Sequence, residues 1–280
     1  MTRSVDRHGT QEWNAATRRL AAVLAVGLLT LVAPGTVSEA SAKSAGRRAG
    51  EPFHWSGRVA AGKTIEIKGI NGGIHATLAT GKEVVVDARK TGRRSDPDQV
   101  RIEVVEHEGG VTVCARYPRP SGALNDCEGG QNVRNNDVNV EFEVMVPAGV
   151  ELSASTVNGQ IDVSRIQSDV TASTVNGSVL LSTTGRGEAR TVNGSITARL
   201  GTLGGGDLEF ATVNGGIELE LPDGLDADVS ARTVNGEIST DFPLTVKGRF
   251  GPRRLNGTLG KGGRMLRLET VNGGIHLRSI

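Results

Sequence analysis

From residue 151 onward, small and branched apolar residues alternate with Ser, Thr, Arg, Glu and Asp in short runs, and Asn-Gly interrupts each run. "ASTVNGQIDV" (154–163) is followed by "ASTVNGSVLL", "ARTVNGSITA", "FATVNGGIEL", "ARTVNGEIST" and "ETVNGGIHLR". Asn-Gly stands at Asn71, Asn158, Asn176, Asn193, Asn214, Asn235, Asn256 and Asn272, and from Asn158 the intervals are 18, 17, 21, 21, 21 and 16 residues. A near-fixed period of this size marks a repeat architecture. The residue before Asn is Val157, Val175, Val192, Val213, Val234, Leu255 or Val271, and three after it stands Ile161, Val179, Ile196, Ile217, Ile238, Leu259 or Ile275. Such period-two patterning predicts short strands.

Two arrangements fit. A type I′ turn at Asn-Gly would make each repeat a hairpin, but the Val before Asn would then fall on the opposite face beside a polar partner. As the bend between two strands of a solenoid coil, Asn-Gly instead lets that Val point inward at the corner, so that Val stacks on Val and Ile on Ile. Both residues tolerate positive φ. One coil buries too little apolar surface to offset its ordering entropy, whereas stacked neighbours bury both faces and pair every strand. The expectation is an all-β, parallel β-solenoid of stacked short-strand coils of about 16–21 residues, with helix only in the signal peptide.

Residues 53–150 are less regular. "IEIKGINGGIHATL" (65–78) already carries the repeat's pattern, and "NGGIHA" at 71 nearly duplicates "NGGIHL" at 272. "KEVVVDAR", "QVRIEVVEH" and "GVTVCARY" read as three alternating strands, and "NVEFEVMVPAGVELSAS" leads through a Pro147-Ala148-Gly149 turn into the regular array. The recurring "TVNG-x-I/V" with "VPAGV" ahead of it resembles the bacterial putative-adhesin family of unknown function. The resemblance covers roughly residues 53–280 and implies an exported parallel β-solenoid at the cell envelope; it brings no catalytic residues with it.

Arg18-Arg19 precedes a thirteen-residue apolar run, Leu20–Val32, then Ala33-Pro34-Gly35 and the small residues Ala40-Ser41-Ala42. The run is too short to span a bilayer, so 1–42 reads as a cleaved export signal rather than an anchor. The paired arginines match a twin-arginine signal only weakly. Residues 43–52 read as a linker, 53–150 as an N-terminal β segment, and 151–280 as the repeat solenoid. Export to the periplasm or cell surface, with no transmembrane span after cleavage, agrees with the two cysteines. Cys114 and Cys127 are expected to form one disulfide, since a structural zinc site needs four ligands and only His107 stands nearby. Residues 1–42 hold four of the 32 basic and three of the 31 acidic residues, leaving 28 of each. That balance disfavours nucleic-acid binding. Aromatics are 3% of the chain, so small aliphatic side chains must do the packing.

The search for chemistry finds little. Gly-x-Ser-x-Gly is absent and the histidines are scattered. His75 and His276 share a phase of the repeat but belong to its first and last coils. Calcium nonapeptides and a P-loop are also missing, and no cofactor is implied. A carbohydrate-active β-helix enzyme, lyase or hydrolase, would need carboxylates about 5–10 Å apart in a groove. Asp162, Glu218 and Glu220 are the candidates, and Asp162 lies more than two coils from the others. Three before Asn stand Lys68, Arg190, Arg232 and Arg253, interrupted by Ser155, Ser173, Ala211 and Glu269. Stacking would place Arg232 and Arg253 ~5 Å apart as a binding strip for an anionic envelope polymer, though charges on such a face also discourage edge aggregation. The reading is a non-enzymatic envelope scaffold or adhesin-like surface, its partner an envelope component or surface polymer, with end-to-end self-association open to its bare last coil. The alternatives are the carbohydrate-active enzyme and an accessory protein in envelope-stress signalling.

Overall fold

The computed structural model describes residues 47–127, 133, 135–246, 251 and 253–280. The export signal (1–42), the first linker residues (43–46) and Pro252 lie outside the described residues. Strands β1 (Arg48–Ala49), β2 (Phe53–Gly57), β3 (Thr64–Lys68), β4 (Ile74–Leu78), β5 (Val84–Gly92), β6 (Arg101–His107), β7 (Gly110–Arg116) and β8 (Asn139–Val146) precede the regular array. The array runs through β9 (Glu151–Ser155), β10 (Ile161–Ile166), β11 (Val170–Ser173), β12 (Val179–Thr183), β13 (Gly187–Arg190), β14 (Ile196–Leu200), β15 (Leu208–Ala211) and β16 (Ile217–Leu221). It ends with β17 (Ala227–Arg232), β18 (Ile238–Thr240), β19 (Thr245–Val246), β20 (Arg254–Leu259), β21 (Met265–Glu269) and β22 (Ile275–Ser279).

From β9 to β16 the chain alternates between two sheets, and each strand pairs in parallel with the one a full coil earlier. This is the solenoid that the repeat predicts. Each coil is a strand, a Thr-Val-Asn-Gly corner and a second strand. Inward positions align as ladders: Ile74, Ile161, Val179, Ile196, Ile217, Ile275 and Ile238 face one another across neighbouring strands. All seven are buried. On the opposite sheet Ala154, Ala172, Ala189, Phe210, Leu268 and Ala231 form the matching row. Small aliphatics opposite branched ones fill the thin interior with few aromatics.

The corner corrects the expectation about Val. Val175, Val192, Val213, Val234 and Val271 are 38–45% exposed. The residue that turns inward is the preceding Thr: Thr156, Thr174, Thr191, Thr212, Thr233 and Thr270 are all buried. Each hydroxyl donates to a glycine carbonyl of the preceding coil in the stack, as Thr174 Oγ1 to Gly159 O at 3.0 Å and Thr191 Oγ1 to Gly177 O at 2.8 Å. A buried carbonyl left without a donor is costly, so a hydroxyl at this corner is worth more than a methyl. The reason for Gly also differs. Positive φ occurs at Gly72 and Gly273 but not at Gly159, Gly177, Gly194, Gly215 or Gly236. What every corner shares is close approach: a Cβ on Gly177 or Gly194 would lie 1.9 or 2.0 Å from a carbonyl oxygen one coil away.

Stacking order departs from chain order at both ends. The last coil, β21–β22, is inserted between β15–β16 and β17–β18. At the other end β3–β4 sits between β7–β8 and β9–β10. The two near-identical hexamers at 71 and 272 therefore occupy equivalent places, each one coil in from its end. Antiparallel strands cover both sheets at one end, β5 and β6, and one sheet at the other, β20 with β19, where the short β18 remains the edge of the second sheet. Asn256 is accordingly not a corner. It lies within β20, antiparallel to Ser230 of β17, and the period carried its Asn-Gly into the repeat by coincidence of spacing. Three further features refine the sequence reading. Arg48 and Ala49 pair with Gly92 and Thr91, tying part of the linker to the sheet. Pro97–Gln99 forms one 3-10 turn. The described residues from 47 onward share one compact unit, and residue 150 falls at the turn between β8 and β9.

Tyr117, the chain's single tyrosine, is fully buried over the first coil, its hydroxyl donating to Val138 O at 3.1 Å and Asn71 O at 3.3 Å. Burial pushes its phenol above the ordinary value. A raised acid is stabilising below its unfolded value, near pH 10, and loses that contribution as pH rises further. Absorbance titration should therefore show no phenolate until the fold is lost; a reversible titration near pH 10 in the folded protein would refute this. For the corner, Thr191→Val should cost about 1–3 kcal/mol in denaturant unfolding, and Thr191→Ser much less. Gly194→Ala should cost about 3 kcal/mol or more, because backbone blocks the added methyl.

Candidate functional site

The corner places two rows on one edge of the stack. Asn71, Asn158, Asn176, Asn193, Asn214, Asn272 and Asn235 follow one another as isolated parallel bridges, in that spatial order. Their side chains form a continuous amide ladder, each Nδ2 donating to the preceding Oδ1 at 2.7–2.8 Å. Beside it run the exposed valines. With strands ~4.8 Å apart, seven asparagines span about 29 Å. A regular band of amide and methyl groups at fixed spacing is thus presented to solvent. The asparagines predicted as corners are brought together, Asn256 excepted; the Val row beside them was expected in the core.

The arginine strip is not assembled. Along the outer face the aligned positions run Lys68, Ser155, Ser173, Arg190, Ala211, Glu269, Arg232 and Arg254. Arg190 and Arg232 are separated by two intervening strands, about 14 Å. Arg253 lies in the turn before β20, and it is Arg254 that faces Arg232. The inserted coil also sets Glu269 beside Arg232. Arg190 donates to Glu209 Oε2 at 2.8 Å, and that carboxylate raises the guanidinium's already high value. The face is therefore mixed in charge. No residue spacing in the sequence announces the exchange of coils that brings Glu269 here.

Among the carboxylates of the enzyme alternative, Glu218 and Glu220 are outward neighbours on β16, and Asp162 stays apart from both. Asp162 and Glu218 share an outer row but sit on β10 and β16, with β12 and β14 between them. Glu218 pairs with Arg278 at 2.8 Å and Glu220 with Arg199 at 3.4 Å. His75 on β4 and His276 on β22 are five strand steps apart, about 24 Å.

Cys114 and Cys127 form the expected disulfide, with Cα atoms 5.8 Å apart. Glu103 lies close to both sulfurs, but the disulfide removes them as metal ligands. A groove of about 510 Å³ opens beside it, lined by Lys68, Glu103, Val105, His107, Thr112 and Arg116 among others. Its charges are matched internally: Arg116 donates to Glu103 at 2.6 Å, and Lys68 pairs with Glu66 at 2.9 Å. The sequence singled out Lys68, His107 and the cysteines separately but did not bring them together, because β6 meets β3 only through β7. No helix among the described residues is long and apolar enough to cross a membrane.

The Toastrack DUF4097 family matches residues 63–278. Among solved structures, a putative cell adhesion protein from Clostridium sporogenes is 12% identical, covering 82% of this chain and 100% of that one at a TM-score of 0.41. A putative adhesin from Bacteroides fragilis is 12% identical, covering 82% and 97% at a TM-score of 0.26. A putative lipid binding protein from Parabacteroides distasonis is 11% identical with the same coverage and a TM-score of 0.25. At such identities and scores these likenesses assign no residue and no role. Comparison with curated proteins finds no significant match. The amide ladder makes its own prediction: Asn193→Asp replaces a donor with a carboxylate facing Asn176 Oδ1, and should cost about 0.5–1.5 kcal/mol in unfolding while leaving the circular dichroism unchanged.

Proposed function

Because the chain belongs to the Toastrack DUF4097 family, we propose that it is an exported, non-enzymatic β-solenoid with an adhesin-like binding surface at the cell envelope, in the periplasm or on the cell surface. The observation that carries the reading is the corner: five valines 38–45% exposed, all on one edge, beside an ordered amide ladder. Apolar side chains held in line at a surface are a feature of contact sites. Their fixed spacing suits a partner that repeats, such as an envelope polymer, because linked weak contacts multiply in effect. The mixed-charge face with Arg190 and Arg232 would add a salt-sensitive component. Balanced charge argues against nucleic acid. The three-residue strand β18, paired on one side only among the described residues, leaves an edge open to end-to-end association.

The test is retention of the purified protein on separated envelope fractions, namely peptidoglycan, outer-membrane material, secreted polysaccharide and intact cells. Retention on one fraction should weaken about 5–30-fold in Val192→Ser with Val213→Ser, since each half-exposed valine contributes roughly 0.5–1 kcal/mol when covered. Arg190→Ser with Arg232→Ser should remove the salt dependence. No retention anywhere would reject the binding surface and leave a scaffold for a specific protein. Release of soluble sugar would move the assignment to the carbohydrate-active enzyme.

A further inference from the structure

The amide ladder and the backbone bonds beneath it have a direction, and the direction leaves one corner unlike the rest. Each corner glycine donates its N–H to the backbone carbonyl of the asparagine one coil further on: Gly72 to Asn158, Gly159 to Asn176, Gly177 to Asn193, Gly194 to Asn214, Gly215 to Asn272 and Gly273 to Asn235, all at 2.8–3.0 Å. In the same six corners the asparagine Oδ1 accepts from the next amide. Asn235 is the outermost member. Among the described residues nothing accepts the Gly236 N–H, and nothing donates to Asn235 Oδ1. Its side chain is held by the single bond from Nδ2 to Asn272 Oδ1, at 2.8 Å, and it is exposed.

We propose that Asn235 is a site of spontaneous covalent modification: succinimide formation at Asn235-Gly236, followed by hydrolysis to aspartate or isoaspartate. The Gly236 amide nitrogen, after giving up its proton, attacks the Asn235 Cγ. The C–N bond to the side-chain nitrogen breaks, and that nitrogen leaves as ammonia with the proton returned by solvent. Water then opens the ring at either carbonyl. Two requirements gate the reaction: an amide nitrogen not engaged as a donor, and a side chain free to rotate its Cγ toward it. An interior corner such as Asn193 meets neither without breaking three inter-coil bonds, two of them to the following coil, and Asn235 needs to release only one. Asn256-Gly257 is withheld in a different way, within β20, which is paired on both sides by β17 and β19, with its Oδ1 accepting from Ser230 at 3.1 Å.

The product acts on the stack. A carboxylate at 235 no longer donates to Asn272 Oδ1, and isoaspartate adds a methylene to the backbone that carries the Asn235 carbonyl to Gly273. Loosening the outer coil frees Gly273 N–H and Asn272 Oδ1 together. Reaction then passes to Asn272, its neighbour in the stack, and not to Asn214, the preceding Asn-Gly in the chain. The order follows the stack.

The experiment is a time course of the purified folded protein at mildly alkaline pH, read by peptide mass spectrometry at every Asn-Gly, with the denatured chain in parallel. In the denatured chain all eight sites should react at similar rates. In the folded protein Asn235 should react about tenfold or more faster than Asn158, Asn176, Asn193 or Asn214, as expected where a reaction must wait for two hydrogen bonds to open. Asn272 should follow, and in Asn235→Gln it should be delayed. Equal rates at all corners, an interior corner reacting first, or no reaction at Asn235 while the denatured chain converts would overturn the assignment. Unchanged timing at Asn272 in Asn235→Gln would overturn the spreading.

Discussion

Everything regular in this protein depends on how closely successive coils approach at the corner. A hypothetical Cβ at Gly177 or Gly194 would sit about 2 Å from the neighbouring coil's carbonyl, so only glycine allows strands on both sides of the corner to keep β spacing at once. Once the backbones are that close, each group at the corner finds its partner one coil away. Glycine N–H meets asparagine carbonyl, threonine hydroxyl meets glycine carbonyl, and amide meets amide. The corner is therefore the joint that converts a repeated sequence into a continuous stack.

The same joint explains the inside-out arrangement of Thr and Val. A buried glycine carbonyl at each corner needs a donor, and no backbone N–H is left to supply it. A threonine hydroxyl meets that need from inside, with its methyl still packed against the core; valine there would leave the carbonyl unpaired, at a cost that outweighs burying one more methyl. Valine is thus displaced to the surface by a polar requirement of the interior. The exposed row that follows is the basis of the proposed binding edge, so packing and function trace to one hydrogen bond.

The ends show how a stack of identical joints is stopped. An open coil would offer bare strand edges to other chains. Here antiparallel strands cover both sheets at the near end and one sheet at the far end, where the short β18 is left as the edge of the other, and each chain-terminal coil is tucked one place inward. At the beginning of the stack the cover includes the buried Tyr117, whose hydroxyl reaches the Asn71 carbonyl. Because the glycine N–H bonds at the corners all run toward the far end of the stack, the two ends are chemically unlike, and that end carries the only described corner whose glycine N–H has no acceptor.

Much of the coil was legible in the sequence. The alternation, the interval of about twenty residues and the aligned Ile positions follow from side-chain geometry within one strand, which acts over a few residues and is written locally. The disulfide followed from two cysteines in a chain whose first residues read as an export signal. What the repeat could not reveal was decided by partners distant in the chain. The inward turn of Thr191 depends on the Gly177 carbonyl one coil away. The place of Asn256 depends on Ser230 in an antiparallel neighbour, so its Asn-Gly looked like a corner and was not. The charge strip failed for the same reason, since inserting β21 between β15 and β17 set Glu269 where another arginine was expected. The sequence by itself determined what one coil looks like, because strand periodicity is local; only the tertiary structure decided which coil lies beside which, because that order is set by closing two ends that the repeat does not encode.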